Sequence, residues 1–378
     1  MNTITVTGSA GFIGSHLMEA LGRRPDTDVI GLDVGATAAA LREALNRSDA
    51  VFHIAGVNRP EHPAEYDTAN SGFTKSLCAT LDDLGRRPLV VFSSSTQAEL
   101  DNDYGRSKRR AEETLQAWSA RATSPVVIFR LPNVFGKWAR PNYNSAVATF
   151  CHNAAHGLPL TVNDPQRDMR LVYIDEVVRH MLACLDRPPT GCEFREVDPV
   201  FEKKLGALAE LIESFPATRQ TLVVPDFGDG LTVRLWATYL SHLDGSDFAY
   251  HLRQSTDNRG CLAEMIKSAG FGQIFVSRTH PGITRGNHYH HTKVEKFLVV
   301  EGEAVIRFRD IRGSAVIEHR VNGCDFRVVD IPPGFTHSIE NVGAGELVTL
   351  FWADELFDPE RPDTYFLPVV EDPSKGDK

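Results

Sequence analysis

Gly282-Ile-Thr-Arg-Gly-Asn-His288-Tyr-His290 leads on to Glu295 and Gly302, and the stretch closes with Pro332-Pro-Gly334-Phe-Thr-His337-Ser-Ile-Glu-Asn341. Short β-branched runs lie between, Phe297-Leu-Val-Val300 and Ala304-Val-Ile-Arg-Phe308. Two histidines one residue apart on a strand point to the same face. Glu295 and His337 can join them if the strands wrap into a barrel. Three imidazoles and a carboxylate suit a borderline divalent ion such as zinc.

This pattern resembles the cupin signature: Gly, His-x-His, Glu and Gly, then Pro-x-Gly-x-x-His-x-x-x-Asn. The first half matches at every spacing. The second half departs at its leading glycine, where Phe326 stands and Gly323 comes three residues early. The resemblance implies an all-β jelly roll in which His288, His290, Glu295 and His337 hold zinc or another divalent metal. His291, Lys293 and Lys296 add titratable groups at the barrel mouth. Strand alternation from an inward Glu295 points Lys296 away, so His291 ranks above it.

The N-terminal half reads differently. Asn2 to Thr7 forms a β-branched strand, Gly8-Ser-Ala-Gly11-Phe-Ile-Gly14 a turn, and Ser15 to Leu21 a helix. Strand, glycine-rich turn and helix together make a dinucleotide cradle, with phosphates at the helix N-terminus. Gly8, Gly11, Phe12, Ile13 and Gly14 are its expected contacts. Asp33 ends the next strand, where an acid binds ribose hydroxyls and disfavours a 2′-phosphate, so taken alone it predicts NADH. Ala50 to Gly56 is a buried strand ending in small residues that let the cofactor lie over Ala55. Asn70 opens a helix whose Phe73, Leu77 and Leu81 are core, and it completes the expected cofactor site with Tyr104 and Lys108. Leu89 to Ser95 runs into hydroxyls, and Tyr104-Gly-Arg-Ser-Lys108 starts a helix nine residues on. Tyr and Lys four apart share a helix face, and an adjacent ammonium would lower the phenol pKa.

These motifs resemble the extended short-chain dehydrogenase/reductase family over roughly residues 1–240. The resemblance implies an α/β Rossmann-like domain in which Ser95, with Ser94 as the alternative, Tyr104 and Lys108 are catalytic. It also makes Val126 to Gly136 the strand leading to the substrate domain and places a nucleotide-sugar along it and the segments Asn142 to Ser145 and Arg167 to Asp175, with Asn133, Asn144 and Arg170 as contacts. Val177 to Leu185 and Lys204 to Ser214 read as covering helices.

The chain has 378 residues, a length that favours two domains. The expected division is 1–245, reductase; 250–371, cupin; and 372–378, a disordered polar tail. No run is long and apolar enough for a membrane span. The opening residues lack a basic region followed by an apolar core, so no secretory signal is expected there. Six scattered cysteines form no Cys-x-x-Cys pair and read as thiols of a reducing cytoplasm. A net charge of −10 argues against a nucleic-acid partner.

Four further stretches, His53 to His62, Phe135 to Ser145, Gly286 to Val300 and Asp354 to Phe366, extend the likeness across the chain. Together they resemble the CapF-type family of capsular polysaccharide and O-antigen enzymes. That resemblance implies a homodimer with two activities on one UDP-linked 4-keto-2-acetamido-2,6-dideoxyhexose. The cupin would epimerise C3, and the reductase would reduce the C4 ketone with NADPH to the L-talose product of the UDP-N-acetyl-L-fucosamine route. Asp33 departs from an NADPH user and leaves NADH open. Two other readings remain: an NAD-dependent UDP-sugar 4-epimerase or dehydratase with a structural cupin, and a non-catalytic sugar-nucleotide binder.

Overall fold

The computed structural model describes residues 2–60, 62 and 64–370, so the expected tail at 372–378 lies outside the described residues. Two compact units emerge: residues up to Phe215 with Val233–Leu243, and Pro216–Thr232 with Asp244 onward.

The first unit alternates strands and helices. β1 (Asn2–Thr7), α1 (Phe12–Gly22), β2 (Thr27–Leu32), α2 (Ala38–Arg47) and β3 (Ala50–His53) come first. α3 (Ala64–Tyr66) continues through a π-helical turn, Asp67–Gly72, into α4 (Phe73–Asp83). β4 (Leu89–Ser95), α5 (Asp103–Ala122) and β5 (Val126–Leu131) follow. β6 (Asn133–Phe135), α6 (Ala146–Ala155), β7 (Asp168–Tyr173), α7 (Ile174–Asp186), β8 (Cys192–Arg195), β9 (Val200–Lys204) and α8 (Leu205–Ser214) complete the unit's N-terminal run. The main sheet is parallel in the order β2-β1-β3-β4-β5-β8.

Its central strands are apolar at consecutive positions because both faces are covered. Phe52, Val91 and Val127 pack with Leu17, Val177 and Met181 on one face. Val51, Val90 and Ile128 pack with Leu45, Leu77, Leu81, Leu115 and Trp118 on the other. Leu77 and Leu81 are fully buried, and Phe73 is partly buried against the same cluster.

Backbone pairing draws residues 216–232 into the second unit. The Val224 N–H donates to the Lys267 carbonyl at 2.8 Å, and the Lys267 N–H donates to the Leu222 carbonyl at 2.7 Å. The expected single cut near 245 is corrected accordingly. Polar turn residues marked the last crossing of the chain and left the earlier ones silent.

The second unit contributes α9 (Thr218–Thr221), and α10 (Gly230–Leu240) begins in it. Antiparallel strands follow: β10 (Gln254–Asp257), β11 (Gly260–Ser268), β12 (Gly272–Thr279), β13 (Thr284–Tyr289), β14 (Glu295–Glu301) and β15 (Glu303–Asp310). β16 (Val316–Asn322), β17 (Val328–Ile331), β18 (Phe335–Asn341), β19 (Leu347–Ala353) and β20 (Tyr365–Phe366) complete it. One sheet runs β10-β11-β12-β19-β14-β17 and the other β16-β15-β18-β13-β20, a jelly-roll arrangement. Phe297, Val299, Ile306, Phe308, Ile339 and Phe351 fill the space between them. Phe326, standing at the cupin glycine position, takes φ +47°, a left-handed conformation that explains why glycine suits that site.

Among the described residues no helix is long and apolar enough to cross a membrane.

Candidate active sites

In the first unit a groove of about 1580 Å³ opens along the strand ends. Gly8 turns there at φ +71°, and a Cβ on it would meet Ala55 at 2.8 Å. A Cβ on Gly14 would lie 2.0 Å from the Gly8 carbonyl oxygen, so the first turn of α1 can only close on glycine. α1 starts at Phe12, earlier than the expected Ser15. Gly8, Gly11, Phe12, Ile13, Asp33, Ala55, Tyr104 and Lys108 all line the groove. Asp33 Oδ2 accepts from Ser9 Oγ at 2.6 Å and from the Ala10 N–H at 2.5 Å, bracing the turn. Val34, Gly35, Ala36 and Thr37 form the rim beside it, and the lining cations, Lys108, Arg140, Arg167 and Arg170, come from other segments.

Asn70 is not among the lining residues, and its side chain braces the loop behind them. Its Oδ1 accepts from the Val57 N–H at 2.8 Å. Its Nδ2 donates to the Val57 carbonyl at 3.0 Å and to Ser107 Oγ at 2.9 Å. The π-helical turn, which begins before Asn70, buries that side chain.

β4 and α5 bring Ser95 and Tyr104 into the same groove. Ser94 is committed elsewhere, donating to buried Glu112 Oε1 at 2.5 Å, and Glu112 also pairs with Arg130 at 2.7 Å. Burial pushes the Tyr104 phenol up to about 12, outweighing Ser95, which pulls the phenol pKa down. The drop expected from Lys108 is absent. Lys108 Nζ instead donates to the Ser93 carbonyl at 2.8 Å and lies 4.9 Å from the Phe92 ring centre. Burial brings its own pKa down to about 8 against the pull of Glu112.

Beneath this site His53 is fully buried and bonded at both nitrogens, to Thr7 Oγ1 and Thr74 Oγ1, each at 2.9 Å. The Thr74 hydroxyl donates to the Asn70 carbonyl at 2.9 Å, so it accepts from His53 Nε2–H. Nδ1 is then the acceptor for the Thr7 hydroxyl, whose oxygen takes the Ala55 N–H at 3.3 Å. One neutral tautomer completes the chain, and burial, aided by Lys108, holds the imidazole down at about 3.

Asn133, Asn144 and Arg170 all line the groove. Asn133 Nδ2 donates to the Arg170 carbonyl at 3.0 Å, and Arg170 Nε faces Glu202 at 3.5 Å. Trp138, Arg140, Tyr143 and Arg167 line the same groove and were not singled out from sequence. The aromatic and basic content of residues 135–145 was the available signal.

In the second unit the ligand atoms of His288, His290, Glu295 and His337 lie within 4.8 Å of one another. A bulge after Gly286, with Asn287 at φ +58°, sets His288 opposite His337 across β13 and β18. His290 lies one residue beyond β13, where its Nδ1 donates to the Asp363 carbonyl at 2.5 Å. Asp363 also accepts backbone N–H bonds from His291, Thr292 and Lys293 at 2.9–3.0 Å. It clamps the whole turn from 70 residues or more away, which no local spacing announces. Nε2 of His290 and of His337 is buried without a hydrogen-bond partner, 3.4 and 3.6 Å from Glu295 Oε2. Buried, unpartnered imidazole nitrogens converging on a carboxylate fit a divalent cation. The bond from His290 to a backbone carbonyl is the outer support such ligands use.

Of the mouth residues, Lys296 pairs with Asp330, Lys293 Nζ donates to the Pro362 carbonyl at 2.7 Å, and His291 is exposed. None of the three lines the adjoining cavity of about 140 Å³.

The two sites define a nicotinamide-dependent reductase fold joined to a metal-type β-barrel. Residues 4–197 match the NAD dependent epimerase/dehydratase family, and residues 255–365 match the polysaccharide biosynthesis C-terminal domain. The chain is 44% identical over 368 residues to a UDP-2-acetamido-2,6-beta-L-arabino-hexul-4-ose reductase of Pseudomonas aeruginosa, spanning 97% of this chain and 99% of that one. It is also similar to the capsular polysaccharide assembling protein CapF of Staphylococcus aureus, with 40% identity, a TM-score of 0.90, and coverage of 97% of this chain and 100% of that one. A UDP-glucuronic acid 4-epimerase of Bacillus cereus, 20% identical with a TM-score of 0.55, shares the fold over 64% of this chain and 98% of its own. The chain belongs to the NAD dependent epimerase/dehydratase family, as a two-domain enzyme of the CapF type.

Proposed function

We propose that the chain carries out two steps on one UDP-linked 4-keto-2-acetamido-2,6-dideoxyhexose: C3 epimerisation in the barrel, then reduction of the C4 ketone to the L-talose configuration. The observation that carries this reading is the end-to-end 44% identity to a reductase named for a UDP-linked 4-ulose.

In the reduction a hydride passes from the nicotinamide to C4, and the alkoxide takes the Tyr104 proton. A phenol raised to about 12 is protonated at neutral pH and ready to donate. In this reading Ser95 orients the ketone and Lys108, bonded to the Ser93 carbonyl, holds the nicotinamide ribose. In the barrel His288, His290, Glu295 and His337 would hold zinc or another divalent ion, which when bound supplies Lewis-acid stabilisation of an enolate. Epimerisation alone is close to thermoneutral, so the following reduction draws it forward.

The preferred cofactor is NADH rather than the NADPH of the family. A 2′-phosphate would meet the Asp33 carboxylate at a rim with no lysine or arginine among the described lining residues there. The active species is a cytoplasmic homodimer in this reading.

The test supplies the 4-keto sugar from an upstream dehydratase in D₂O, with NADH or NADPH. NADH consumption with one deuterium at C3 is the expected result. Consumption without label would leave the barrel a structural or binding role. Equal turnover with NADPH would remove Asp33 as the selector.

A further inference from the structure

We infer that Arg285 is a catalytic residue of the barrel, the cation that takes up the negative charge formed when the substrate loses its C3 proton. This rests on the epimerase reading above.

Arg285 lies on β13 three residues before His288 and lines the same cavity of about 140 Å³ as His288, Glu295 and His337. The rest of that lining is apolar or glycine apart from the Ser277 hydroxyl. Arg285 is half-buried, and its Nε donates to Thr279 Oγ1 at 2.9 Å. Among the described residues its two terminal nitrogens have no hydrogen-bond partner and no carboxylate within ion-pair distance. The nearby Asp257 is taken by Arg259, bonded at 2.9 Å through Nε. Glu295 faces His290 and His337.

A half-buried guanidinium that shares its nearby carboxylate, Asp257, with Arg259 is left short of negative charge. Burial and the neighbouring Arg259 lower its pKa, in keeping with that shortage. An anion arriving in the cavity would relieve it. Among the described residues Arg285 is the one lysine or arginine in the cavity lining, since Lys293 and Lys296 are engaged elsewhere.

The cavity's size indicates which anion. Sites that enclose a whole drug-sized ligand run to about 300–1,000 Å³. This smaller space is too small for a whole nucleotide-sugar, so in the proposed reaction only the ring faces it and the nucleotide lies outside. The ring is neutral until the C3–H bond breaks. The proton then goes to a base, the electron pair forms a C3–C4 double bond, and the C4 carbonyl becomes an enolate oxygen. A proton returned to the opposite face restores the ketone with C3 inverted. Charge that exists only along this path makes Arg285 act on kcat rather than on KM.

The test uses the full chain and the UDP-4-keto sugar in D₂O with nicotinamide omitted. C3 hydrogen exchange is followed by NMR alongside metal content and melting temperature. Arg285→Gln should slow exchange in kcat by about 10²–10³-fold, with KM and metal content little changed. Should Gln prevent folding, Arg285→Met keeps the aliphatic stem and gives the same reading. Unchanged exchange, or a raised KM at constant kcat, overturns the assignment, the latter by moving Arg285 to the diphosphate. No exchange in the unaltered chain would instead defeat the epimerase reading, and this assignment with it.

Discussion

In the first unit His53 is closed at both ring nitrogens, while His16 and His242 each keep a lone buried Nε2 open; the second unit sets two such open nitrogens against one carboxylate. His53 uses both ring nitrogens in a chain of bonds running from the Ala55 N–H to the Asn70 carbonyl. His290 and His337 each present a buried Nε2 with no hydrogen-bond partner. Burial is alike in the three; completeness is not. A closed chain fixes a tautomer and excludes a proton, so it serves as framework. An open set, pre-aimed by Asp363, has a lone pair to offer and marks a place for a ligand.

The largest expected effect separates the units outright. Tyr104→Phe should lower ketone reduction by about 10²–10⁴-fold while C3 exchange in the barrel continues. NADH oxidation and deuterium uptake on the same sample check it, and parallel loss of both would erase the division of labour. Next comes acid stability. The folded His53 titrates at about 3, below the ordinary 6.5, so its contribution is complete above pH 6.5. As pH falls, the unfolded chain binds a proton that the folded chain refuses, and stability is lost progressively down to about 3. Between pH 7 and 5 this costs about 2 kcal/mol. His53→Gln keeps one donor and one acceptor and should flatten that limb in urea titrations; an unchanged slope would mean His53 is not closed to protons.

The open set should respond to metal where the closed one does not. Zinc at 100 times its Kd should stabilise the barrel by about 2.7 kcal/mol, seen as a raised melting temperature. His337→Ala should abolish that shift and His53→Gln preserve it. The smallest effect tests the aiming residue. Asp363→Ala keeps the carbonyl bonded to His290 but removes the carboxylate that grips residues 291–293, and should weaken zinc affinity by about 10–100-fold in a competition titration, with the four ligands intact.

Local chemistry was legible in sequence and remote bracing was not. The glycine turn, the Tyr104–Lys108 spacing and the His288–His290–Glu295 run each lie within a few residues, where strand and helix periods decide direction. Asn70, buried in a π-helical turn, spends its amide on Val57 and Ser107, partners that no local spacing announces. The choice between Ser94 and Ser95 depended on Glu112, 18 residues past Ser94, whose carboxylate claims one hydroxyl. The phenol pKa followed burial, and Lys108 is bonded to the Ser93 carbonyl rather than to the phenol. Asp363 had no local signal at all.

The assignment of residues 216–232 to the barrel unit has a consequence for how the two halves can be inherited. The chain passes between the units at 215/216, 232/233 and 243/244, so no single cut yields two whole pieces. A fragment ending near 245 would carry a strip of barrel with nothing to pair it, and its complement would lack the Val224 partner of Lys267. Gene fission, a protease nick used to liberate one half, or grafting the barrel onto another reductase would each sever a covalent weave. In this chain the two activities can be parted only by cutting in three places rather than one.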